Sequence, residues 1–418
     1  MPNYFQKILR NAVGRFRELS RALSGKEEAK LWQRNLAILS LGQFITMVGM
    51  SSVVPFLPLY IRELGVTDLE SAKLWSGFIF AGPFFLSMFA VPVWGSLGDK
   101  YGRKIMIIRA LLGLSVMVFV MSLAQTPLQL LILRVIQGGV SGFIAAALSF
   151  TTANTPREKS GFAIGILQSS SSAGIITGPL IGGVVSDLYG IRPVFYLVSA
   201  LCLLSAILTI VMVKEEKIIS KEAKGVIDNL KFVLKSPILS VLMVMIVLSQ
   251  GGINFTNPIF PFLVEDLGAP DEYLKTLTGA LVGIVGIFSI VMAPFWGRRN
   301  DRKNFRKTMA VAASVSGLSL MAHVFVTDYV WLFPLRAVTG LFVAGVIPTL
   351  YSALSKRSPS ENQGGIMGLA SSATIFGSFS AYITCGLIAS AWGLDSAFIV
   401  SGALLILSAI FSFYRQKK

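Results

Sequence analysis

Long apolar stretches alternate with short polar segments along the whole chain. Each stretch extends over about 20 residues, which is the length that a helix needs to cross the hydrocarbon core of a bilayer. Because only a helix satisfies all of its own backbone hydrogen bonds in such a segment, the pattern predicts an all-α integral membrane protein. Twelve spans are predicted, at residues 36–62, 74–98, 105–124, 128–151, 161–187, 194–213, 238–264, 276–297, 307–326, 330–354, 365–392 and 397–414.

The chain carries the same features twice, about 202 residues apart. The segment Val-Pro-Val-Trp-Gly at 91–95 recurs as Ala-Pro-Phe-Trp-Gly at 293–297, and the Arg-x-x-x-Gly run at 134–138 recurs at 336–340. Duplication of this kind in a membrane protein is typical of transporters whose halves move around a central site. We therefore predict twelve transmembrane helices in two pseudo-symmetric six-helix bundles.

This arrangement divides the chain into tails, bundles and a linker. Apolar residues at helical spacing in the basic N-terminal tail predict an amphipathic helix on the membrane surface, and a mobile basic tail is the alternative. Val226, Leu230, Val233 and Leu234 predict a short surface helix in the linker. The parts are the tail 1–35, the bundles 36–213 and 238–414, the cytoplasmic linker 214–237 and the C-terminus 415–418.

Charged residues are few and unevenly placed. They make up only 14% of the chain, which excludes an ordinary soluble globule. Of the 37 Lys and Arg residues, 30 lie in the tails and in the loops on one side of the predicted bundle. The positive-inside rule then places both termini in the cytoplasm. The net charge of +16 mostly reflects this bias, so we expect membrane lipid and no nucleic acid as a partner.

Residues suited to covalent, redox or metal chemistry are scarce. Cys202 and Cys385 both fall within predicted spans, and we interpret them as small apolar packing residues. The sequence shows no nucleotide-binding loop, metal constellation or nucleophile-base pair. We therefore expect no cofactor and no enzymatic activity, and the membrane gradient remains as the source of energy.

The first cytoplasmic hairpin combines glycines with alternating charges. Glycines allow two helices to approach and the chain to turn sharply, and opposite charges can pair with each other and with helix ends. Such contacts suit a latch that opens and closes, and a charged turn that only fixes the topology is the alternative. The residues predicted to form the latch are Gly95, Gly98, Asp99, Gly102, Arg103 and Lys104.

This hairpin resembles the hallmark motif of the major facilitator superfamily, Gly-x-Leu-Ala-Asp-x-x-Gly-Arg-Lys, with Gly98 in place of the usual Ala. The resemblance implies that Asp99 and Arg103 form a latch pair. The second copy, around Asp301, matches the motif less well. Arg134 in the fourth span also resembles a family motif, one associated with proton handling, whereas snorkelling to the outer surface is the alternative.

The fifth span carries glycines four residues apart next to a proline. This spacing makes a smooth face for close helix contact, and the proline bends the helix. It is similar to the antiporter signature of the superfamily's twelve-span drug:proton exporters, and plain helix packing is the alternative. The residues of this motif are Gly174, Gly178, Pro179, Gly182 and Gly183.

The proton-binding group is not evident from the sequence. All 21 Asp and Glu residues fall in loops, in tails or at the ends of spans. Arg134, Asp99 and Asp187 are the candidates for proton coupling. His323 has a suitable unperturbed pKa, but its place near the outer end of the ninth span favours a structural role.

The resemblance implies that the central cavity is lined by the first, fourth, seventh and tenth spans. Aromatic, Met and amide side chains there suit an uncharged or amphiphilic organic solute. Helix-to-helix packing is the alternative role for these residues. The candidates are Gln43, Phe44, Met47, Phe143, Gln168, Gln250, Asn254, Asn257, Phe342 and Tyr351.

These features together predict a monomeric secondary transporter in the bacterial cytoplasmic membrane. It would export small organic or amphiphilic molecules by proton antiport with alternating access. One alternative is the export of a single metabolite, such as a siderophore or a lipid-like product. Another is a sensor or scaffold that no longer transports.

Overall fold

A computed structural model of the chain describes residues 31–156, 159–215, 226–302, 305–359 and 363–413. The predicted N-terminal amphipathic helix and the C-terminal residues 415–418 therefore lie outside the described residues, apart from the start of the first span at Leu31. Of the helical residues, the side chains of Asp99, 226–228, 300–302 and Gly364 are also outside this description.

The described residues form the twelve predicted spans. Eleven helices are long and apolar enough to cross a membrane, and the last of them contains the eleventh and twelfth spans joined at Gly393. The first six spans are Leu31–Val53 continued by Leu57–Glu63, Leu69–Tyr101, Arg103–Ser122, Pro127–Val140 with Phe143–Ala153, Ser160–Tyr189 and Ile191–Met212. The remaining six are Pro237–Asn254 with Phe260–Asp266, Leu274–Arg302, Phe305–Met321 continued by Ala322–Phe325, Leu332–Val343 with Val346–Arg357, and the two parts of Gln363–Phe411.

Local sequence sets several ends of these helices. Thr126 caps the fourth span, which continues with Pro127 at its first position, and Pro237 begins the seventh span. Gly190 and Gly393 occupy equivalent corners in the two halves, with φ values of 85° and 83°. Residues with a Cβ avoid this conformation, so glycine is needed at both turns.

The linker contains the predicted helix, which extends over Val226–Lys235. Val233 is buried in an apolar cluster of the C-terminal bundle, together with Leu242 and Met245. The linker helix therefore packs on the second half of the protein. The residues 216–225 that precede it lie outside the described chain.

The halves share the same internal packing. In the N-terminal half the first span packs on the fifth and sixth, the second on the fourth, and the third on the sixth. The two halves meet mainly where the second span packs on the eleventh and the fifth packs on the eighth. These four helices therefore form the boundary between the bundles.

The boundary is packed closely at one end. We call the end with the corners at Gly190 and Gly393 the outer end, after the sequence-based prediction that both termini, at the opposite end, are cytoplasmic. At this end Gly77 and Gly183 lie against the backbone of the opposite half. At the inner end, a Cβ added at Gly95, Gly165 or Gly297, on three of these helices, would meet no atom within 4 Å.

Candidate functional site

An apolar cavity lies between the halves beneath the closed outer end. Its volume is about 280 Å³. It draws residues from the first, second, fifth, seventh and eighth spans, so both bundles contribute to it. The lining residues are Met47, Met50, Ser51, Val54, Pro55, Phe80, Ile175, Pro179, Asn257, Phe260, Pro261, Thr278 and Val282.

Two residues expected to line the cavity, Met47 and Asn257, do line it. The side chain of Gln43 is instead fully buried between the first and fifth spans, where its Nε2 donates to Ser171. Phe143 is buried in the core of the N-terminal half. Phe44 lies next to Met47 on the first span, and its carbonyl faces Gly174. In this conformation Gln43 and Phe143 therefore pack between helices.

Four of the remaining expected lining residues make contacts within the C-terminal half. Asn254 Nδ2 donates to Ser378 Oγ at 3.0 Å, and the Tyr351 hydroxyl lies 3.1 Å from Thr374 Oγ1. Gln250 packs near Gly377, and the Phe342 ring contacts Trp296. Gln168, on the fifth span, is exposed at the inner part of the boundary.

The two repeat-related arginines are buried beside the cavity. Arg134 and Arg336 are each only 6% exposed. Arg134 Nε donates to the Ile79 carbonyl at 3.2 Å, and its Nη1 donates to Gln137 Oε1 at 2.8 Å. The Arg336 guanidinium lies 3.7 Å from the centre of the Phe260 ring. Neither side chain snorkels, although an arginine inside a membrane costs about 2.5–3.5 kcal/mol.

Charged side chains join the halves at the outer end. Arg62 Nη1 lies 2.6 Å from both carboxylate oxygens of Glu265. Asp187, at the end of the fifth span, accepts the backbone N–H of Thr276 at 2.7 Å and that of Lys275 at 3.3 Å. These donors are among the unpaired N–H groups at the start of the eighth helix, where a negative charge is favourable. Asp187 therefore ties one half to the other.

The glycines of the fifth span allow close contact with the first span. A Cβ at Gly178 would lie 2.5 Å from the Val48 carbonyl, and one at Gly174 would lie 2.6 Å from Met47 Cβ. Ser51 Oγ donates to the Gly174 carbonyl at 3.0 Å, and Ser52 Oγ donates to the Gly178 carbonyl at 2.9 Å. The two serines were not predicted as site residues, because only the paired helices reveal their partners.

On its other side the fifth span contacts the eighth. A Cβ at Gly183 would lie 2.6 Å from the Lys275 carbonyl, and the Pro179 carbonyl lies against Gly279. Gly182 faces the Ser52 carbonyl of the first span. The Gly-Pro segment therefore lies between the first span of its own half and the eighth span of the other half.

The hairpin between the second and third spans is held by a carboxylate, Glu215, that was not predicted as a site residue. Glu215, just after the sixth span, accepts the backbone N–H of Arg103 at 2.8 Å and that of Lys104 at 3.0 Å. Arg103 Nη1 also donates to the Ser149 carbonyl at 3.2 Å. The side chain of Asp99 lies outside the described residues. In the sequence, the only signal for Glu215 was its position directly after an apolar span.

The repeated tryptophans make equivalent hydrogen bonds in the two halves. Trp94 Nε1 donates to the Gly139 carbonyl, and Trp296 Nε1 donates to the Leu341 carbonyl, both at 2.7 Å. Each acceptor lies where the fourth or tenth span is interrupted. In the N-terminal half Arg109 adds a second contact, because its guanidinium lies 3.6 Å from the centre of the Trp94 ring.

Two pseudo-symmetric bundles around a shared cavity match a known family. The sequence profile of the Major Facilitator Superfamily matches residues 39–252 and 242–418, which together cover almost the whole chain. The chain belongs to the Major Facilitator Superfamily. It is therefore an integral membrane protein with the architecture of this family of transporters.

Similar proteins are named for drug resistance. The chain is 32% identical over 391 residues to the multidrug resistance protein MdtG of Escherichia fergusonii, covering 93% of this chain and 96% of the relative. It is also 32% identical to MdtG of Salmonella typhimurium over 383 residues, which cover 91% and 95% of the two chains.

Solved structures of transporters share the fold at low identity. The nucleoside transporter NupG superposes with a TM-score of 0.77 at 12% identity, over 91% of this chain and 99% of that one. A bacterial homologue of the human lysosomal transporter Spinster, in an inward-facing and unoccupied conformation, gives a TM-score of 0.74 at 15% identity, over 93% and 97%. These similarities concern the fold.

Proposed function

We propose that this superfamily member exports small organic or amphiphilic compounds by proton antiport. The observation that carries the proposal is an apolar cavity between two repeated bundles that touch at the outer end, while glycines at the inner ends of the boundary helices adjoin free space. We infer that a solute reaches this cavity from the cytoplasm in this conformation. The similarity to MdtG over more than nine-tenths of the chain supports export of drug-like compounds.

Transport then requires the halves to separate at the outer end. The contacts that would break include the pair Arg62 and Glu265, the bonds from Asp187 to the eighth helix, and the close packing at Gly77 and Gly183. The exposed ion pair contributes only about 0.2–1 kcal/mol, and the charge-assisted bonds of Asp187 contribute about 1.5–3 kcal/mol. Contacts of this size can break and form again within a transport cycle, while the inner ends approach each other.

Asp187 is the proton-coupling residue that this geometry favours. Its side chain is only 7% exposed, and Lys275 Nζ lies 3.8 Å from its Oδ1. Protonation from the outside would remove the charge that holds the start of the eighth helix, so the seal would weaken. Proton binding from the outside would then favour opening towards the outside. The gradient supplies about 2.3 kcal/mol per 100 mV for each proton that enters.

The hairpin between the second and third spans would act at the other end. Glu215 fixes the start of the third helix, and the motif places Asp99 one turn before it. We assign to this hairpin the latch that holds the inner ends together when the outer end opens. With both termini cytoplasmic in a bacterial inner membrane, the latch would face the cytoplasm.

Efflux from proteoliposomes tests the proposed function directly. The full chain is reconstituted and loaded with a panel of fluorescent cationic, neutral and anionic dyes, with and without an imposed pH gradient. We expect gradient-dependent movement of at least one dye, and loss of the gradient dependence in Asp187→Asn. Movement of no dye under either condition would refute the proposal.

Export of one dedicated metabolite is a second candidate, favoured by the small cavity of about 280 Å³, since ligand sites usually have volumes of roughly 300–1,000 Å³. A dedicated exporter would move only one chemical class in the dye panel. Competition by that class against every dye would distinguish it from a broad drug exporter.

A further inference from the structure

The charges around the central cavity are unbalanced. Arg134 and Arg336 are repeat-related, lie in the fourth and tenth spans, and are each only 6% exposed. Within the described residues, neither guanidinium forms an ion pair with a carboxylate. Arg336 Nε has no hydrogen-bond partner there either, and Arg134 uses only Nε and Nη1 for its bonds to Ile79 and Gln137. Two buried positive charges therefore have no counter-ion from the described protein.

Neither arginine lines the cavity itself, but each lies close to residues that line it. The Arg336 guanidinium stacks at 3.7 Å on the ring of Phe260, which is a lining residue. Gln137, the partner of Arg134, has its Nε2 3.9 Å from the sulfur of Met50, another lining residue. Ile79, whose carbonyl accepts from Arg134, precedes the lining residue Phe80. One arginine from each half is thus placed beside the cavity wall.

A buried guanidinium without a counter-ion is costly, because it has lost water without gaining an acceptor of opposite charge. A ligand that carries a negative charge would supply that acceptor, and a planar carboxylate, sulfonate or phosphate matches the fork of guanidinium donors. The rest of the cavity offers few polar atoms. Its occupant must therefore combine one anionic head with an apolar body.

We propose that the exported substrate is a small amphiphilic organic anion, with its apolar body in the cavity and its head against Arg134 and Arg336. This assignment rests on the proposed export function and narrows its substrate class. A cation would add a third positive charge to the site, and a neutral solute would leave both arginines uncompensated. An inside-negative membrane potential also favours the outward movement of an anion.

Three probes that share one body test the charge preference. They are naphthylbutanoate, the corresponding amide and the corresponding amine, titrated into the purified full chain in a neutral detergent. Hydrogen bonds to a charged group change affinity by roughly 10-fold to 100-fold. We expect the carboxylate to bind at least about tenfold more tightly than the amide, and the amine to bind more weakly still.

Substitutions test whether the two arginines cause the preference for the carboxylate. Arg336→Gln and Arg134→Gln are each expected to remove most of the advantage of the carboxylate over the amide, and Arg336→Lys to retain part of it. Arg192→Gln is the matched control, because Arg192 lies at the outer corner away from the cavity and should leave all three affinities unchanged. Retention of the preference in both Gln variants, with folded protein confirmed by its thermal transition, would overturn the proposal.

Further outcomes distinguish failure of the anion assignment from failure of the proposed export. A protein that exports the amide or the amine but neither binds nor exports the carboxylate is still an exporter, and the anion assignment is then wrong. Binding of none of the three probes would also refute the assignment. Competition by phosphatidylglycerol, but not by phosphatidylcholine, would identify the anionic head as that of a lipid. If neither lipid competes, the anionic ligand is a free solute. Either result supports the assignment of an anionic substrate.

Discussion

The second and eighth spans occupy equivalent places in the two halves, but the starts of these helices are held in different ways. Asp68 caps the second span from within, since its Oδ2 accepts the N–H of Ser71 at 2.8 Å. The eighth span is capped by Asp187 of the opposite half. Within the described residues the carboxylate of Asp271, the repeat equivalent of Asp68, makes no hydrogen bond to the eighth span, and only its carbonyl accepts an N–H there, that of Leu274. A cap within one helix stabilises that helix, whereas a cap across the boundary links the halves.

The packing at this boundary is more symmetric than the charges. Gly183 of the fifth span lies against the start of the eighth helix, and its repeat equivalent Gly386 lies against Lys73 and Leu74 of the second helix. The duplication has therefore kept the close helix contact in both copies. The carboxylate at the contact is present in only one copy, because Ser390 stands at the position equivalent to Asp187.

Enlarging either glycine should have the largest effect. A valine at Gly183 or Gly386 would overlap with backbone of the opposite half, at a cost of roughly 1–3 kcal/mol. We expect both variants to favour separation of the outer ends, and Gly183→Val to have the larger effect because its contact is closer, 2.6 Å against 3.0 Å. Spin-label distances across the outer end measure this change.

Gly165→Val is the control for both glycine variants, since a Cβ there meets open space at the inner end. It should leave the outer distances unchanged. Equal outer distances in all three variants would show that the two glycine contacts do not hold the outer end closed.

Removing the charge at Asp187 should have the next largest effect. Asp187→Asn replaces charge-assisted hydrogen bonds, worth about 1.5–3 kcal/mol, with weaker neutral ones. The population open to the outside should rise roughly tenfold or more. Ser390→Asn, at the equivalent position, should change neither the population nor the efflux. Equal effects of the two substitutions would show that Asp187 has no role that the equivalent Ser390 lacks.

The sequence predicted the architecture better than the site. The twelve spans, the two bundles and the linker helix follow from apolar length and from repeated motifs, which are local signals. The partners of Asp187, Glu215 and the serines Ser51 and Ser52 depend on how distant helices are placed. An interaction between residues such as Asp187 and Thr276 leaves no pattern in the segments that carry it.

Substitution of the paired tryptophans tests whether equivalent hydrogen bonds stabilise the two halves to a similar extent. Trp94→Phe and Trp296→Phe each remove one hydrogen bond to a carbonyl at an interrupted span, which costs about 1 kcal/mol. Thermal unfolding should show losses of similar size. The loss at Trp94 should be the larger, because Arg109 lies 3.6 Å from the centre of its ring, whereas Arg299 lies 5.8 Å from that of Trp296. A larger loss at Trp296 would contradict this ranking.

The cap at Asp68 should give the smallest effect, and one that depends on pH. The hydroxyl and backbone N–H of Ser71 hold the pKa of Asp68 below its ordinary value. A carboxyl whose pKa is lowered by folding stabilises the protein above its unfolded pKa of about 3.9, and this contribution is lost as the pH falls through the lower folded value.

Asp68→Asn should therefore be slightly less stable than the original chain at neutral pH. The difference in thermal unfolding should shrink below about pH 4. Efflux at neutral pH should stay unchanged, because this cap lies within one helix. Loss of pH-dependent efflux in Asp68→Asn would mean that local and cross-boundary caps have the same role.

Reversible cross-linking of the outer end tests the central claim that the halves must separate there. Arg62 and Glu265 face each other across the boundary and are both partly exposed, at 41% and 32% of their side chains. They are replaced together by cysteine in a chain whose buried Cys202 and Cys385 are alanine, and joined with a short reducible thiol cross-linker in proteoliposomes. We expect efflux to stop when the link forms and to return on reduction, with Arg62→Cys alone unaffected. Undiminished efflux from fully cross-linked protein would show that the halves need not separate at the outer end.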